Sequence, residues 1–169
     1  MKINTDSWKP FSIATLFDIK KGRRLTKQNM KPGNINYIGA TAFNNGITAK
    51  IGNTENLHPA GTITVCYNGS IGQAFYQEEE FWATDDVNVL YPKFEMSVNC
   101  AHFIIPIIKK LSYKYAYTDK WTAEKMADSE LLLPAKTEEQ PDWNYIESYM
   151  CELTNRVQKN LFYLLNIEK

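Results

Sequence analysis

The chain has 169 residues, with 19 basic and 19 acidic side chains and a formal net charge of +0, a length that fits one domain with a short appended element. Its hydrophobic fraction of 44% and charged fraction of 22% exclude a disordered or fibrous chain. No apolar run approaches the roughly 18 residues of a membrane span, residues 1–6 carry no signal-peptide core, and Cys66, Cys100 and Cys151 are too scattered for a CxxC pair, so a cytoplasmic protein with buried thiols and no membrane partner is expected.

Residues 12–19, with apolar Ile13, Leu16 and Phe17, read as a short helix or the entry to a strand. Lys20-Lys21-Gly22-Arg23-Arg24 reads as a loop, because Gly22 interrupts any regular element. From Ile19 to Thr54 there is no acidic residue, while Lys20, Lys21, Arg23, Arg24, Lys27, Lys31 and Lys50 are present. Charge is therefore sorted along the chain, as on an anion-binding face; a solvated lysine-rich surface has the same composition. Residues 30–34 hold a Pro-Gly turn, 36–39 a short strand, and Asn44-Asn45-Gly46-Ile47 the signal of a tight hairpin. Residues 62–67 alternate and are β-branched, the clearest strand of the chain. Asn68-Gly69-Ser70 turns it back into a second strand over 71–76, and strands over 81–84 and 86–91 follow.

The remainder is more helical. Val98–Leu111 reads as a helix with Pro106 as a candidate kink, and 122–129 is short and ambiguous. Leu131-Leu132-Leu133-Pro134 is a buried strand with its stop. After Pro141-Asp142 comes a long helix, Trp143–Ile167. Along it Ile146, Met150, Leu153, Val157, Asn160, Leu164 and Ile167 fall in a heptad seam, with Asn160 as a polar residue that can fix register. Packing on its own domain and facing a partner both explain such a seam; its length and terminal position favour the partner. The layout is thus α+β: a strand-rich domain over residues 1–135, a linker over 136–142, and a helix over 143–169.

The residues supply no catalytic constellation. There is no Gly-rich dinucleotide or P-loop pattern, and Gly69 with Gly72 is a hairpin pattern, a poor phosphate cradle. Asp18-Ile19-Lys20, with Asp6 upstream, is a fragment of a Mg²⁺-nuclease signature, too short to carry weight. Glu78-Glu79-Glu80 reads as a solvated turn and Asp85-Asp86 as the lead into a strand. His58 and His102 are unaccompanied, and His102 lies among apolar residues as expected of the core. No catalytic residue, metal site or cofactor is expected, and the residues describe a binder.

Several stretches taken in order resemble a family. They are Trp8 with 17–26, 37–41, 44–47, Val65-Cys66-Tyr67-Asn68-Gly69-Ser70-Ile71-Gly72, Trp82-Ala83-Thr84-Asp85-Asp86-Val87-Asn88-Val89-Leu90, and the Leu131-Leu132-Leu133-Pro134 segment before a long helix. Together these resemble a target recognition domain of the specificity subunit of type I restriction–modification enzymes. The resemblance implies a non-catalytic subunit that binds double-stranded DNA and dictates where the methyltransferase and restriction subunits act. Typical members carry two recognition domains separated by paired helices, so this chain resembles half of one. Homodimerisation, or pairing with a second specificity half through residues Ile146 to Leu164, is then expected, on a symmetric interrupted site.

Under that resemblance Lys20, Lys21, Arg23, Arg24 and Lys27 neutralise phosphates, and Gly22 lets the loop approach the duplex closely. Thr41, Asn44, Asn45, Tyr67, Asn68 and Ser70 are candidate readers, although the Asn-Gly pairs also serve as plain turn formers. A basic–aromatic stretch with Tyr113, Lys114, Tyr115, Tyr117, Lys120 and Trp121 lines the same groove or packs in the core. The competing reading is a non-catalytic interaction module that docks through its terminal helix.

Overall fold

Ser12 is where the first strand becomes a helix. Strand β1 (Trp8–Ser12) runs directly into helix α1 (Ile13–Leu16), and the Ser12 hydroxyl accepts the Thr15 amide at 3.2 Å as its cap. Strand β2 (Phe17–Lys21) follows without a connecting loop. Lys20 and Lys21 therefore lie on a strand rather than in the expected loop, and the break falls at Gly22. The computed structural model describes residues 5–115 and 118–167, without the Ile167 side chain.

The strand-rich part continues through β3 (Ile35–Ile38), β4 (Ile47–Ile51), β5 (Thr62–Cys66), β6 (Ala74–Gln77), β7 (Phe81–Ala83) and β8 (Val87–Pro92). Strand β5 is buried along its whole length, as its β-branched run predicts. It pairs with β8 and β6 in an antiparallel sheet of order β2-β8-β5-β6. A second sheet has the order β4-β3-β7, with β3 and β7 parallel. Strand β9 (Glu130–Pro134) closes a separate pair with β1.

Helix α2 (Val98–Leu111) covers the four-stranded sheet. Cys100, Phe103, Ile104 and Ile108 interlock with Ile63, Val65, Ala74 and Leu90 in the main core, each large side chain stabilising the fold by about 1.5–3 kcal/mol. The helix runs through Pro106. Pro106 and His102 both lie on its exposed side, so the His102 carbonyl that loses its amide partner can be solvated. His102 is thus a surface residue meeting the Tyr76 ring edge-on, not the core residue its apolar neighbours suggest. Cys66 and Cys100 are buried, but Cys151 is exposed, correcting the expectation for the third thiol. Burial pushes the Cys66 thiol up to about 11, so it is inert.

Short helix α3 (Ala123–Ala127) fills the ambiguous segment and buries Met126. Trp121 beside it is fully buried, stacks on Tyr115 with ring centroids 5.3 Å apart, and donates to the Ser129 hydroxyl at 3.0 Å. Of the two roles open to Trp121, the core holds it.

The last helix, α4 (Trp143–Ile167), is rooted in the domain by its first two turns. Trp143 stacks on Phe94 at 3.9 Å, Tyr149 meets Phe103 edge-on, and Ile146 is fully buried. Ile146 is therefore taken by the domain's own core and Met150 packs partly against it; these two positions of the expected seam are not free for a partner. Val157, Leu161, Phe162, Leu164 and Leu165 are each at least 54% exposed. The helix changes character midway, from core element to unpartnered rod.

Glu147 fixes the angle at which that rod leaves. Its carboxylate accepts from the Ser97 hydroxyl and, at 2.6 Å, from the Asn99 amide, at the start of α2. The Ser97 hydrogen bond, then that of Asn99, holds the Glu147 carboxyl below its ordinary pKa. A depressed carboxylate contributes stability above its unfolded pKa, and that contribution is lost as pH falls through the folded one. Glu147→Gln is therefore expected to lower Tm at neutral pH. The gap to the native chain should shrink on acidification, as thermal unfolding followed across pH will show.

Candidate nucleic-acid interface

The basic segment leaves the four-stranded sheet at Gly22 and crosses to the three-stranded one. The Gly22 amide donates to Val87 and the next amide, Arg23, donates to Ala83 at 2.8 Å. Gly22 is buried, and a Cβ there would stand 2.1 Å from the Thr84 carbonyl oxygen and 2.7 Å from that of Ala83. The glycine thus serves a backbone crossing inside the protein, a different reason from the close duplex approach expected of it. The Trp82 indole donates to the Arg23 carbonyl at 2.6 Å, pinning the chain just past the crossing.

Beyond it Arg23, Arg24 and Lys27 are exposed. Arg23 reaches the Asn56 amide oxygen at 2.9 Å. Arg23, Arg24, Gln28, Lys31, Asn53 and Trp82 line an open groove of about 520 Å³, with Glu55 also at its wall. Glu55 itself is held below its ordinary pKa, first by backbone hydrogen bonding and then by the Asn53 amide. The groove has a positive rim of Arg23, Arg24 and Lys31 able to neutralise phosphate, while buried Trp82 and Asn53, the latter's amide spent on Lys31, Asn29 and Glu55, form its wall.

Three loops meet beside the end of β2. Lys21 lies over the Tyr67 ring, 5.3 Å from its centroid. Its ammonium is held above its ordinary pKa, first by a hydrogen bond to Tyr67 and also by Asp85 and Asp86. Asn68 donates to the Asp86 carboxylate at 2.7 Å, so its amide nitrogen is engaged within the loop cluster. Across from this turn, the Cys66 thiol faces the Gly39 and Thr41 carbonyls, and the Thr84 amide donates to Ile38. Loops 39–46, 67–73 and 84–86 thus form one surface with the basic strand end, bringing together Lys21, Thr41, Tyr67, Asn68 and Ser70.

Asn44 and Asn45 do not form the tight hairpin expected from their sequence. The connection spans residues 39–46, and both asparagines adopt left-handed backbone, φ 51° and 52°. Their side-chain amides donate to Ile47, and to Tyr76 and Gln77, respectively. As placed, both amides shape the turn; what projects from it is Phe43, 78% exposed.

At the far end of α2, Lys109 lies over the Phe75 ring at 4.9 Å, and Ser112 fills the space where Gly72 lacks a side chain. Lys109 and Ser112, one helical turn apart, therefore stand against residues 72–75. The sequence reading did not single out Phe43 or Lys109. An aromatic amid a polar turn was the available signal for the first. Lys109 is masked in sequence because it closes an apolar run. Lys120 is half-buried at the approach to Trp121, and Tyr117 lies outside the described residues. Asp18 pairs with Lys93 at 3.2 Å, and the described residues hold no group of three His, Cys, Asp or Glu able to bind a metal. No described helix is long and apolar enough to cross a membrane.

A family model described as the type I restriction modification DNA specificity domain matches residues 5–161. The S.BcgI specificity subunit of a type II restriction enzyme from Heyndrickxia coagulans is 39% identical over 154 residues, covering 89% of this chain and 45% of that protein. The crystal structure of a type I restriction–modification S subunit from M. genitalium superposes with a TM-score of 0.67 at 20% identity, over 99% of this chain and 44% of that one. The HsdS subunit of Thermoanaerobacter tengcongensis gives a TM-score of 0.59 at 12% identity, over 94% and 40%. The α+β fold with its long terminal helix is shared with both solved structures, and the chain spans less than half the length of each relative.

Proposed function

Because the chain belongs to the type I restriction modification DNA specificity domain family, we propose that it is a sequence-reading head for double-stranded DNA with no catalysis of its own. It directs a methyltransferase subunit, and with it a restriction subunit, to a chosen site. The observation that carries this reading is the convergence of loops 39–46, 67–73 and 84–86 beside the basic end of β2. Loops on a rigid scaffold are where recognition is built, and lysines and arginines beside them supply the salt-dependent, sequence-independent grip. Two heads are needed for an interrupted symmetric site. A second copy, or a second specificity half, joined along the exposed half of α4 supplies the other.

Binding of a duplex selected from a random pool, measured against salt with the methyltransferase subunit present, tests this. Neutralising Lys20, Lys21, Arg23 and Arg24 together is expected to flatten the log–log salt slope by about 0.9 for each phosphate that is no longer paired with a cation. Affinity indifferent to salt, or no duplex bound, would sink the reading. Methylome sequencing of cells with and without the chain then shows which sequence it reads.

A further inference from the structure

Among the described large apolar side chains, only Tyr113, at 88%, is more exposed than Phe43 at 78%. A single exposed ring is ordinary; this one stands on a backbone held from every side. The Phe43 amide donates to the Thr41 hydroxyl at 3.3 Å, and its carbonyl accepts from Gly46 at 2.9 Å. The next two residues, both asparagines, occupy left-handed backbone, which asparagine adopts more readily than other side-chain-bearing residues. They stay there because their amides are bound to Ile47, Tyr76 and Gln77. The Gln77 amide returns a hydrogen bond to the Asn45 carbonyl at 3.1 Å. A turn so fixed, bearing a ring that is left in solvent, is preorganised for a contact made with something else.

We propose that Phe43 is a specificity-determining contact of this head. Its ring enters a groove of the duplex and packs against a thymine methyl or an opened base step. This rests on the DNA-reading function proposed above. The ring has neither donor nor acceptor, so it recognises only apolar base surface. Its loop shares the surface with Lys21 and Tyr67 through the Cys66 contacts to Gly39 and Thr41, so a duplex gripped by the basic strand end lies within that loop's reach.

The test uses the full chain with the methyltransferase subunit, a duplex selected by the native chain, and an unselected duplex. For Phe43→Ala, affinity for the selected duplex should fall about tenfold, the size of one base contact. Affinity for the unselected duplex, the salt slope and Tm should stay unchanged, because the ring is uncharged and exposed. Phe43→Leu should recover part of the loss. An equal fall on both duplexes, or no fall, overturns the proposal. So does loss of the methyltransferase subunit with duplex binding intact, which would make Phe43 a protein-docking residue. If the native chain binds no duplex, the DNA-reading function fails and takes this inference with it; salt-dependent binding with a silent Phe43→Ala removes the inference alone.

Discussion

If two copies pair through α4 as proposed, aspartate at both Leu161 and Leu164 is expected to dissociate them into monomers while leaving each head folded. These side chains are 54% and 64% exposed, so the isolated fold loses almost nothing when they become polar. In a pair of α4 helices each would be buried, contributing about 1.5–3 kcal/mol per side chain, and two copies double the number. Replacing four buried leucines by charges therefore weakens association by at least about a thousandfold. Sedimentation at micromolar concentration should show the mass of the proposed dimer halved, and the Tm of the variant should no longer depend on protein concentration. Binding to a duplex bearing both half-sites should fall by roughly 10² to 10⁴, the gain that linking two heads supplies. Binding to a single half-site should not change. A native chain that sediments as a monomer, or a variant that still pairs, would remove the dimer from the proposed function.

Much of the fold was legible because its signals are local. The Val98–Leu111 helix is read from its mostly apolar run, and the Trp143–Ile167 helix begins directly after Asp142, whose carboxylate accepts the Tyr145 amide at 3.0 Å. The buried β5 strand announces itself by its β-branched run. What escaped was the joining. Strand β1 pairs with β9, more than a hundred residues later, and β3 runs parallel to β7. Nothing in either segment encodes its distant partner, because register is set by the assembled faces. Ile146 shows the same limit: a heptad pattern says which residues share a helix face, and only the packed domain says where the domain ends and free surface begins.

The candidate site was legible as residue types and less so as roles. The acid-free basic stretch is visible in the sequence. That Lys21 sits over Tyr67 depends on a sheet that brings β2 and β8 together, and on the turn after β5 reaching Asp86. Asn44 and Asn45 look in sequence like side chains offered to bases, whereas their amides are bound to the protein's own carbonyls. The residue they present, Phe43, looks from sequence like an ordinary apolar residue in a loop. Exposure is a tertiary property, so an aromatic that stays out of the core cannot be told from one that enters it until the core is assembled.

Gly22→Ala separates the two explanations of that glycine. If it were there to let DNA approach, alanine would weaken binding and leave the free protein untouched. The structure expects the opposite order. The added methyl would lie 2.1 Å from the Thr84 carbonyl oxygen and 2.7 Å from that of Ala83. Neither neighbour yields cheaply: the Ala83 carbonyl accepts the Arg23 amide, and the Thr84 amide is bound to Ile38. Overpacking against backbone costs about 1–3 kcal/mol or more, which in a chain of this size lowers Tm by about 5 °C. The relief available is to push the chain off β7, which breaks the Arg23 to Ala83 bond and moves Arg23 and Arg24 relative to the loops around Tyr67. Duplex affinity should therefore drop as well, even at temperatures where the variant is folded, with the salt slope largely kept because every cation remains. Differential scanning calorimetry decides the matter: an unchanged Tm for Gly22→Ala would mean the crossing over Ala83 and Thr84 is not what requires glycine.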